Sequence, residues 1–460
     1  MNFIKTYKIP ILVALVSIVL YLGFAYILKR SEFVKLISLY AALYITSYLF
    51  IEKYYSRNSR NFRFLTSIGI VFRLALIVSI PNLSQDFYRF LWDGRLLIQG
   101  FSPYLFTPAT SSTFDVTIAQ SQKLIEGMGS LNASHFSNYP PVNQLFFAIA
   151  ALFAGKSILG SVIVLRMVII LADVGILYFG KKVLEQLNLP VKNIFWYFLS
   201  PFIIIELTGN LHFEGVMLFF FVWALYLLFK RKWLWAAVLI GLSISVKLLP
   251  LLLLPLFFRW FSSKEASAAL NLTSLLKFYS IIGVTILITF LPFFSSEFIQ
   301  NFAVTIGLWF QNFEFNASVY YIIRWIGFQV VGWNIIGTVG KILPMIVVLF
   351  ILGLSFLKKN RTPQQLITSM LFAVSFYFLL STTVHPWYIA TPLILSVFTN
   401  YKFPIVWSFV VVLSYSAYGK EGFDENLWLV ALEYFIVIGI AAWEFTRCKK
   451  YREKEKLPNY

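Results

Sequence analysis

Asp86, Arg89, Asp93 and Arg95 fall within the segment Ser84-Gln-Asp-Phe-Tyr-Arg-Phe-Leu-Trp-Asp-Gly-Arg95. On a helix, spacings of three and seven put Asp86, Arg89 and Asp93 on one face. That pattern suits a surface helix with local ion pairs, each worth under about 1 kcal/mol. It suits equally a carboxylate held for acid–base work, with Asp93 either fixing Arg89 or binding substrate itself. Position favours the second reading. The cluster opens a long loop directly after an apolar span, where a carboxylate meets both water and a lipid-borne substrate.

A second group lies in Glu206-Leu-Thr-Gly-Asn-Leu-His-Phe-Glu-Gly215. Glu206, Asn210 and Glu214 recur every four residues, with His212 between them. A connecting loop needs polar residues but not this density of titrating groups. Glu206, His212 and Glu214 could ligate a divalent metal, yet no tight ligand pattern such as HExxH is present, and no cofactor is expected. Further candidates are Glu314 and Asn316 in the stretch Phe313–Ser318, then Arg324, then His385-Pro-Trp387-Tyr388. A Trp–Tyr pair at the end of a span is ordinary for a membrane interface. His385 is less ordinary there, and is a candidate phosphate contact or acid. Arg324 reads as either a site residue or a snorkelling cation.

Arg73, Arg166, Asp173 and Lys247 fall inside apolar stretches, where an ionisable group is costly and is usually paired or faces a cavity. Arg166 and Asp173 are seven apart on one helix and share a face, so structural pairing is expected of them. Lys247 interrupts the long apolar segment 233–258 together with Pro250. That segment reads as a hairpin of two short helices with Lys247 at its tip, able to meet an anionic head group.

The elements that position these residues are membrane helices. Apolar types make up 59% of the 460 residues and charged types 13%, against about 25% charged in a soluble globule. Stretches of about 20 apolar residues recur throughout, the length that crosses roughly 30 Å of hydrocarbon. Spans are expected near 9–28, 33–51, 64–81, 159–181, 193–207, 215–229, 233–258, 277–293, 337–357, 364–381, 388–400, 403–416 and 427–446. They make an all-α polytopic bundle of about 13 to 14 transmembrane helices. The expected organisation is an N-terminal helical part (1–81), a large loop with surface helices (82–158), a core helical module (159–293), a second loop (294–336) and C-terminal helices with a basic tail (337–460).

Net charge is +18. Lys and Arg collect in short loops such as Lys181/Lys182, Lys230–Lys232 and Lys358/Lys359/Arg361. That is the positive-inside signature of a membrane protein, and it displaces a nucleic-acid reading. It places both termini inside. Lys29 and Arg30 are the exception and fall outside. The acids Asp86, Asp93, Asp115, Glu126, Glu206, Glu214, Glu297, Glu314, Glu421, Asp424 and Glu425 gather on the outer side, which topology does not require. The lone Cys448 excludes a disulfide framework.

Together the motifs resemble the membrane-embedded GT-C glycosyltransferases, specifically the bacterial GT87-like polyprenyl-phosphate-dependent α-mannosyltransferases. The segments that carry the resemblance are Asp86–Arg95, Gly100-Phe-Ser-Pro-Tyr104, Tyr139-Pro-Pro141 with Gln144, Ser200-Pro201, Glu206–Gly215, Lys247, Phe313–Ser318 and His385–Tyr388, over roughly 80–390. Two extra spans precede the large loop relative to the simplest plan of that fold, but one span or three from a cytoplasmic N-terminus both end outside.

The resemblance implies a hexosyltransferase, expected to move mannose with inversion from a polyprenyl-phosphate donor to a lipid-linked or glycan acceptor. The site would lie on the extracytoplasmic side of the bacterial cytoplasmic membrane, with membrane lipids as further partners. It implies Asp86 as the base. Arg89, Arg95, Lys247, Arg324 and His385 are the candidate donor-phosphate contacts. Asp93, Tyr139, Glu206, Asn210, His212, Glu214, Glu314, Asn316, Trp387 and Tyr388 are the candidate sugar or acceptor contacts. Three rival readings stand beside this one: a lipid or sugar transporter built around the Arg166/Asp173 pair, a glycan polymerase or ligase using a lipid diphosphate, and a non-catalytic lipid-binding protein.

Overall fold

The computed structural model describes residues 2–55, 59–113, 117–261 and 270–454; Asp115 lies outside them. The chain is almost wholly helical, its named strands being a hairpin of Tyr418–Gly419 against Gly422–Phe423. Helices α1 (Asn2–Tyr26), α2 (Phe33–Tyr48) and α3 (Ser59–Leu74) come first. The large loop supplies α4 (Asp86–Leu97), α5 (Ser121–Ser134) and α6 (Pro141–Ala154). Pro141 opens α6, where its missing N–H is no loss. The long α7 (Ile158–Gln186) begins at a Ser157 cap that accepts the N–H of Gly160.

Next come α8 (Phe195–Phe198), a π-helical turn over Ile203–Gly209, α9 (Glu214–Phe229) and α10 (Trp233–Val246). The segment 233–258 breaks at Lys247, whose backbone is extended, and continues as a 3-10 helix over Leu249–Phe261. The remaining helices are α11 (Leu272–Phe290), α12 (Ser296–Gln311), α13 (Val319–Val331), α14 (Ile336–Leu357), α15 (Pro363–Leu380), α16 (Ala390–Val397), α17 (Phe403–Val410) and α18 (Leu427–Lys454).

Among the described residues seven helices are long and apolar enough to cross a membrane, or eight if the pair Val191–Phe198 and Ile203–Gly209, bent by 55°, counts as one span. Seven other apolar helices have only 10–17 residues, which reach roughly 15–25 Å. They fall short of the roughly 30 Å core. The expected count of about 13 to 14 crossings therefore resolves into long spans and shorter apolar helices. The span expected at 64–81 ends at Leu74, and turns carry the chain on to Ile80. The long helices expose Leu12, Val19, Leu287, Leu349 and Phe435, an apolar rim suited to lipid.

The ionic groups at depth pair differently from the sequence expectation. Asp173 binds Arg73 at 2.8 Å, both fully buried, and accepts from the Tyr197 hydroxyl at 3.2 Å. Arg166 instead donates to four backbone carbonyls: Thr208 and Gly209 of the π-helical turn, and Ile77 and Ser79 beyond α3, at 2.7–2.8 Å. Arg166 and Asp173 share a helix, but the partner nearest each lies on another element. Arg166 is held by carbonyls and Arg73 by Asp173 and the carbonyls of Gly69 and Phe198, with one Arg73 nitrogen left unpartnered, so the Arg166–Asp173 pairing that favoured a transporter does not form.

Candidate active site

Three consecutive residues before α4 are each tied to a different element. The Asn82 amide donates to the carbonyls of Phe24 (2.8 Å) and Leu28 (3.1 Å), which are left over at the end of α1. The Leu83 N–H donates to Asn210 Oδ1 at 3.0 Å, and Ser84 Oγ accepts the N–H of Asp86 at 3.3 Å. Asp86 thus starts α4 at a fixed point, with its carboxylate at the positive end of the helix dipole.

The other ionic residues of this block form the frame of α4. Arg89 binds Asp93 at 2.7 Å and the carbonyls of Asn132 and His135 at 2.8 Å each. Asp93 is fully buried and also accepts from Ser137 (2.6 Å) and Gln144 (2.9 Å). Arg95 donates to the carbonyls of Ala119 and Lys156. Phosphate contact by Arg89 and Arg95, and sugar contact by Asp93, are therefore corrected: these groups are buried and turned into the loop and α5–α6. Gly94 serves the same packing, because a Cβ there would lie 2.1 Å from the Phe147 carbonyl oxygen of α6.

Asp86 is half-buried and lies within electrostatic reach of Lys247, Glu214 and Arg30, with Asn132 hydrogen-bonded to its carboxyl. Loss of solvation raises its pKa above the ordinary carboxylate range, against the opposing pull of Lys247 and Arg30. Lys247 projects from the break after α10 and binds Glu214, at the start of α9, at 2.6 Å. Its ammonium lies 5.9 Å from the Tyr139 ring centroid. Loss of solvation also pushes the Tyr139 phenol well above its usual value, with Asp86 adding to the shift.

A second group, Glu206, His212 and the His385–Tyr388 stretch, lies within electrostatic reach of Arg30, and its two imidazoles within that of Lys247 as well. Glu206, on the π-helical turn, accepts the Tyr415 hydroxyl at 2.8 Å, while its other oxygen is buried without a partner. Single-turn π-helices recur at functional sites. Leu211 then takes a left-handed backbone conformation (φ 63°), rare for a branched residue. His212 follows and stacks on Trp387 at 3.6 Å between ring centroids, and Trp387 stacks on His385 at 4.5 Å. Tyr388 meets the His385 ring edge-on at 5.4 Å. Loss of solvation, aided by Arg30 and Lys247, pushes the His385 imidazole down to about 3. At that value the ring is uncharged at pH 7, so a phosphate contact here would run through an N–H and not through a positive charge; its Nδ1 is buried without a partner.

Asn210 is also reassigned, since it holds Leu83 and the carbonyl of Ile205. Asn316 is buried. Its N–H donates to Glu425 at 2.7 Å, its amide to Glu433 at 3.3 Å, and its carbonyl accepts from Tyr434 at 2.7 Å. It ties the Phe313–Ser318 stretch to α18 and the residues before it, while its Oδ1 is buried without a partner. Arg324 pairs with Glu314, which also accepts the Tyr320 hydroxyl at 2.6 Å. That pair is partly exposed and joins the site only through the loop, where Phe315 bonds to Thr382 and Val384 beside His385. Glu206, His212 and Glu214 do not converge on a metal position. Among the described residues no group of three or more His, Cys, Asp or Glu does.

Sequence reasoning missed Arg30, Asn132 and Tyr415. Arg30 left one signal, as half of the one loop whose charge contradicted the assigned topology. The tyrosine and asparagine left none, because many such residues are present.

A half-buried carboxylate with two cations in reach, walled by acids, imidazoles and aromatic rings, can take a proton from a hydroxyl and hold an anion beside it. The chain matches no curated protein. The sequence model of the MptA/B family, described as the α-(1→6)-mannopyranosyltransferase N-terminal domain, matches residues 14–263. The match takes in the second half of α1, Asp86, the Glu206–Glu214 turn and Lys247, and it covers more than half of the chain. The chain therefore belongs to the MptA/B family and is a membrane mannosyltransferase.

Proposed function

We propose that this protein moves mannose from a polyprenyl-phosphate donor to a hydroxyl of a lipid-linked or glycan acceptor on the extracytoplasmic face, with Asp86 as general base. The observation that carries the reading is the setting of Asp86: half-buried at the first turn of α4, within reach of Arg30 and Lys247 and beside Glu214. The acceptor oxygen attacks C1 of the mannose as the C1–O bond to phosphate breaks. Asp86 takes the hydroxyl proton as the new bond forms. The phosphodiester leaves as a phosphomonoester with one more negative charge, which the neighbouring cations stabilise. Direct displacement inverts C1, so a β-linked donor gives an α-mannoside.

Tyr139 and Tyr388 offer ring surfaces to the sugar and Trp387, stacked between His212 and His385, orients the two imidazoles, while Glu206, His212 and Glu214 offer hydrogen bonds to hydroxyls. A carboxylate raised by loss of solvation is a better base than an exposed one. The test is incubation of the purified protein in lipid nanodiscs with labelled polyprenyl-phosphate mannose and a panel of acceptors, with mass analysis of the product. A mannosylated product that wild type forms and Asp86→Ala does not is the expected result. Full activity in a folded Asp86→Ala protein overturns the base assignment, and turnover of only lipid-diphosphate oligosaccharides overturns the donor.

A further inference from the structure

We propose that Arg30, on the turn between α1 and α2, grips the phosphate of the polyprenyl-phosphate lipid together with Lys247; this rests on the transferase reading above. The turn is built to present it. Glu32 accepts the Lys29 N–H at 2.9 Å and pairs with Lys35 at 3.3 Å, so the acid nearest in sequence already holds another cation. Among the described residues no ion pair includes Arg30, and its Nε is buried without an acceptor. Its guanidinium lies over the Tyr418 ring, 3.1 Å from the centroid. Stacking occupies the face of a guanidinium and leaves its in-plane N–H fork for an oxyanion.

The turn is also fixed relative to the site. Asn82, four residues before Asp86, holds the carbonyls of Phe24 and Leu28 at the end of α1. The charge of Arg30 bears on Asp86, on Glu206 in the π-helical turn, on His212 and on His385. Those four residues come from three separate parts of the chain, and the charge of Arg30 reaches all of them. Lys247 alone does not meet the demand, since Glu214 already balances its charge at 2.6 Å. A leaving group that gains charge needs a cation without such a partner. A bidentate arginine fork matches phosphate oxygens in geometry as well as charge. Finally, an arginine on this turn runs against the positive-inside distribution. A charge-assisted contact to substrate accounts for it.

The experiment compares wild type, Arg30→Gln, Arg30→Lys and the control Lys35→Gln as full-length proteins in nanodiscs. Thermal unfolding is recorded for each. Binding of labelled polyprenyl phosphate is measured without turnover, and donor and acceptor KM are measured in the mannosyl-transfer assay. Arg30→Gln is expected to weaken polyprenyl-phosphate binding and raise donor KM by about tenfold or more, the scale of one lost charged hydrogen bond, with acceptor KM unchanged. Arg30→Lys recovers part of the loss, and Lys35→Gln behaves as wild type.

Equal lipid binding by wild type and Arg30→Gln overturns the assignment, as does an equal loss in Lys35→Gln. Competition by inorganic phosphate that depends on Arg30, with none by the lipid, also overturns it. If wild type binds polyprenyl phosphate in an Arg30-dependent way but no mannosyl donor turns over, the transferase reading fails while the phosphate site stands.

Discussion

Asn210 accepts the backbone N–H of Leu83 at 3.0 Å, joining the turn after the π-helix to the residue three before Asp86. The asparagine is 1% exposed, so it is shielded from a sugar and acts on the position of the base. Asn210→Ala leaves the Leu83 N–H buried and unpaired, at a cost of about 1–3 kcal/mol. The expected kinetic result is a lower kcat with donor and acceptor KM little changed, while Asn210→Asp, which keeps the acceptor oxygen, retains most activity. A raised KM at constant kcat would return Asn210 to the substrate contacts.

Asp86 must be ionised to act as a base. Loss of solvation and Glu214 raise its pKa, while Lys247, Arg30 and the Asn132 hydrogen bond lower it. The net shift is upward, so the acidic limb of the kcat/KM profile should lie above the ordinary carboxylate value of about 3.9. Activity is lost as pH falls through that limb. Lys247→Met removes a cation that favours the carboxylate, so the limb should move to higher pH. A shift to lower pH, or none, would show that Asp86 does not set the limb.

Arg73 and Asp173 form an ion pair shielded from both water and lipid. Removing one partner leaves a buried charge, a loss of about 3–5 kcal/mol, whereas replacing both with apolar residues is close to neutral. Arg73→Met should lower the unfolding temperature in detergent, and adding Asp173→Leu should recover most of it. If the double variant is stable but inactive, the pair has a role beyond structure.

Gly94 lets α4 approach α6 closely. Its replacement by Ala puts a methyl group against the Phe147 carbonyl. Overpacking of this kind costs about 1–3 kcal/mol, and the helices must move apart. The expected outcome is reduced stability with reduced kcat, because Asp86 rides on α4. Wild-type activity in Gly94→Ala would mean that the base tolerates that movement.

The face of the membrane is testable through α5. Lys123 is exposed on that helix, and the chain has a single cysteine, Cys448. In a Cys448→Ser background, Lys123→Cys should react with a membrane-impermeant maleimide added to intact cells. Labelling only after cell lysis would put the site on the cytoplasmic side.

The local pattern was legible in the block 86–95. Asp86 stood out, and the helix spacing of Arg89 and Asp93 correctly implied that they meet. What the spacing could not reveal was where the pair points. Ser137 and Gln144 close around Asp93 from residues far along the chain. Likewise Arg166 and Asp173 share a helix, as their spacing requires, yet each finds its partners elsewhere. A buried charge goes to whatever packing brings nearest, and packing is a long-range property.

By itself, the sequence determined the solvent and the element type. Low charge and long apolar stretches leave only helices that satisfy their own backbone. It also singled out Asp86, Glu206, Glu214 and Lys247 by their chemistry. Only the tertiary structure decided which cations reach Asp86. Arg89, three residues away, is held in the frame of its own helix. Arg30 and Lys247 arrive from a distant turn and a helix break. The reason is that hydrogen-bond spacing along one helix is set locally, whereas the electrostatics of a site are set by groups that meet only when separate helices pack.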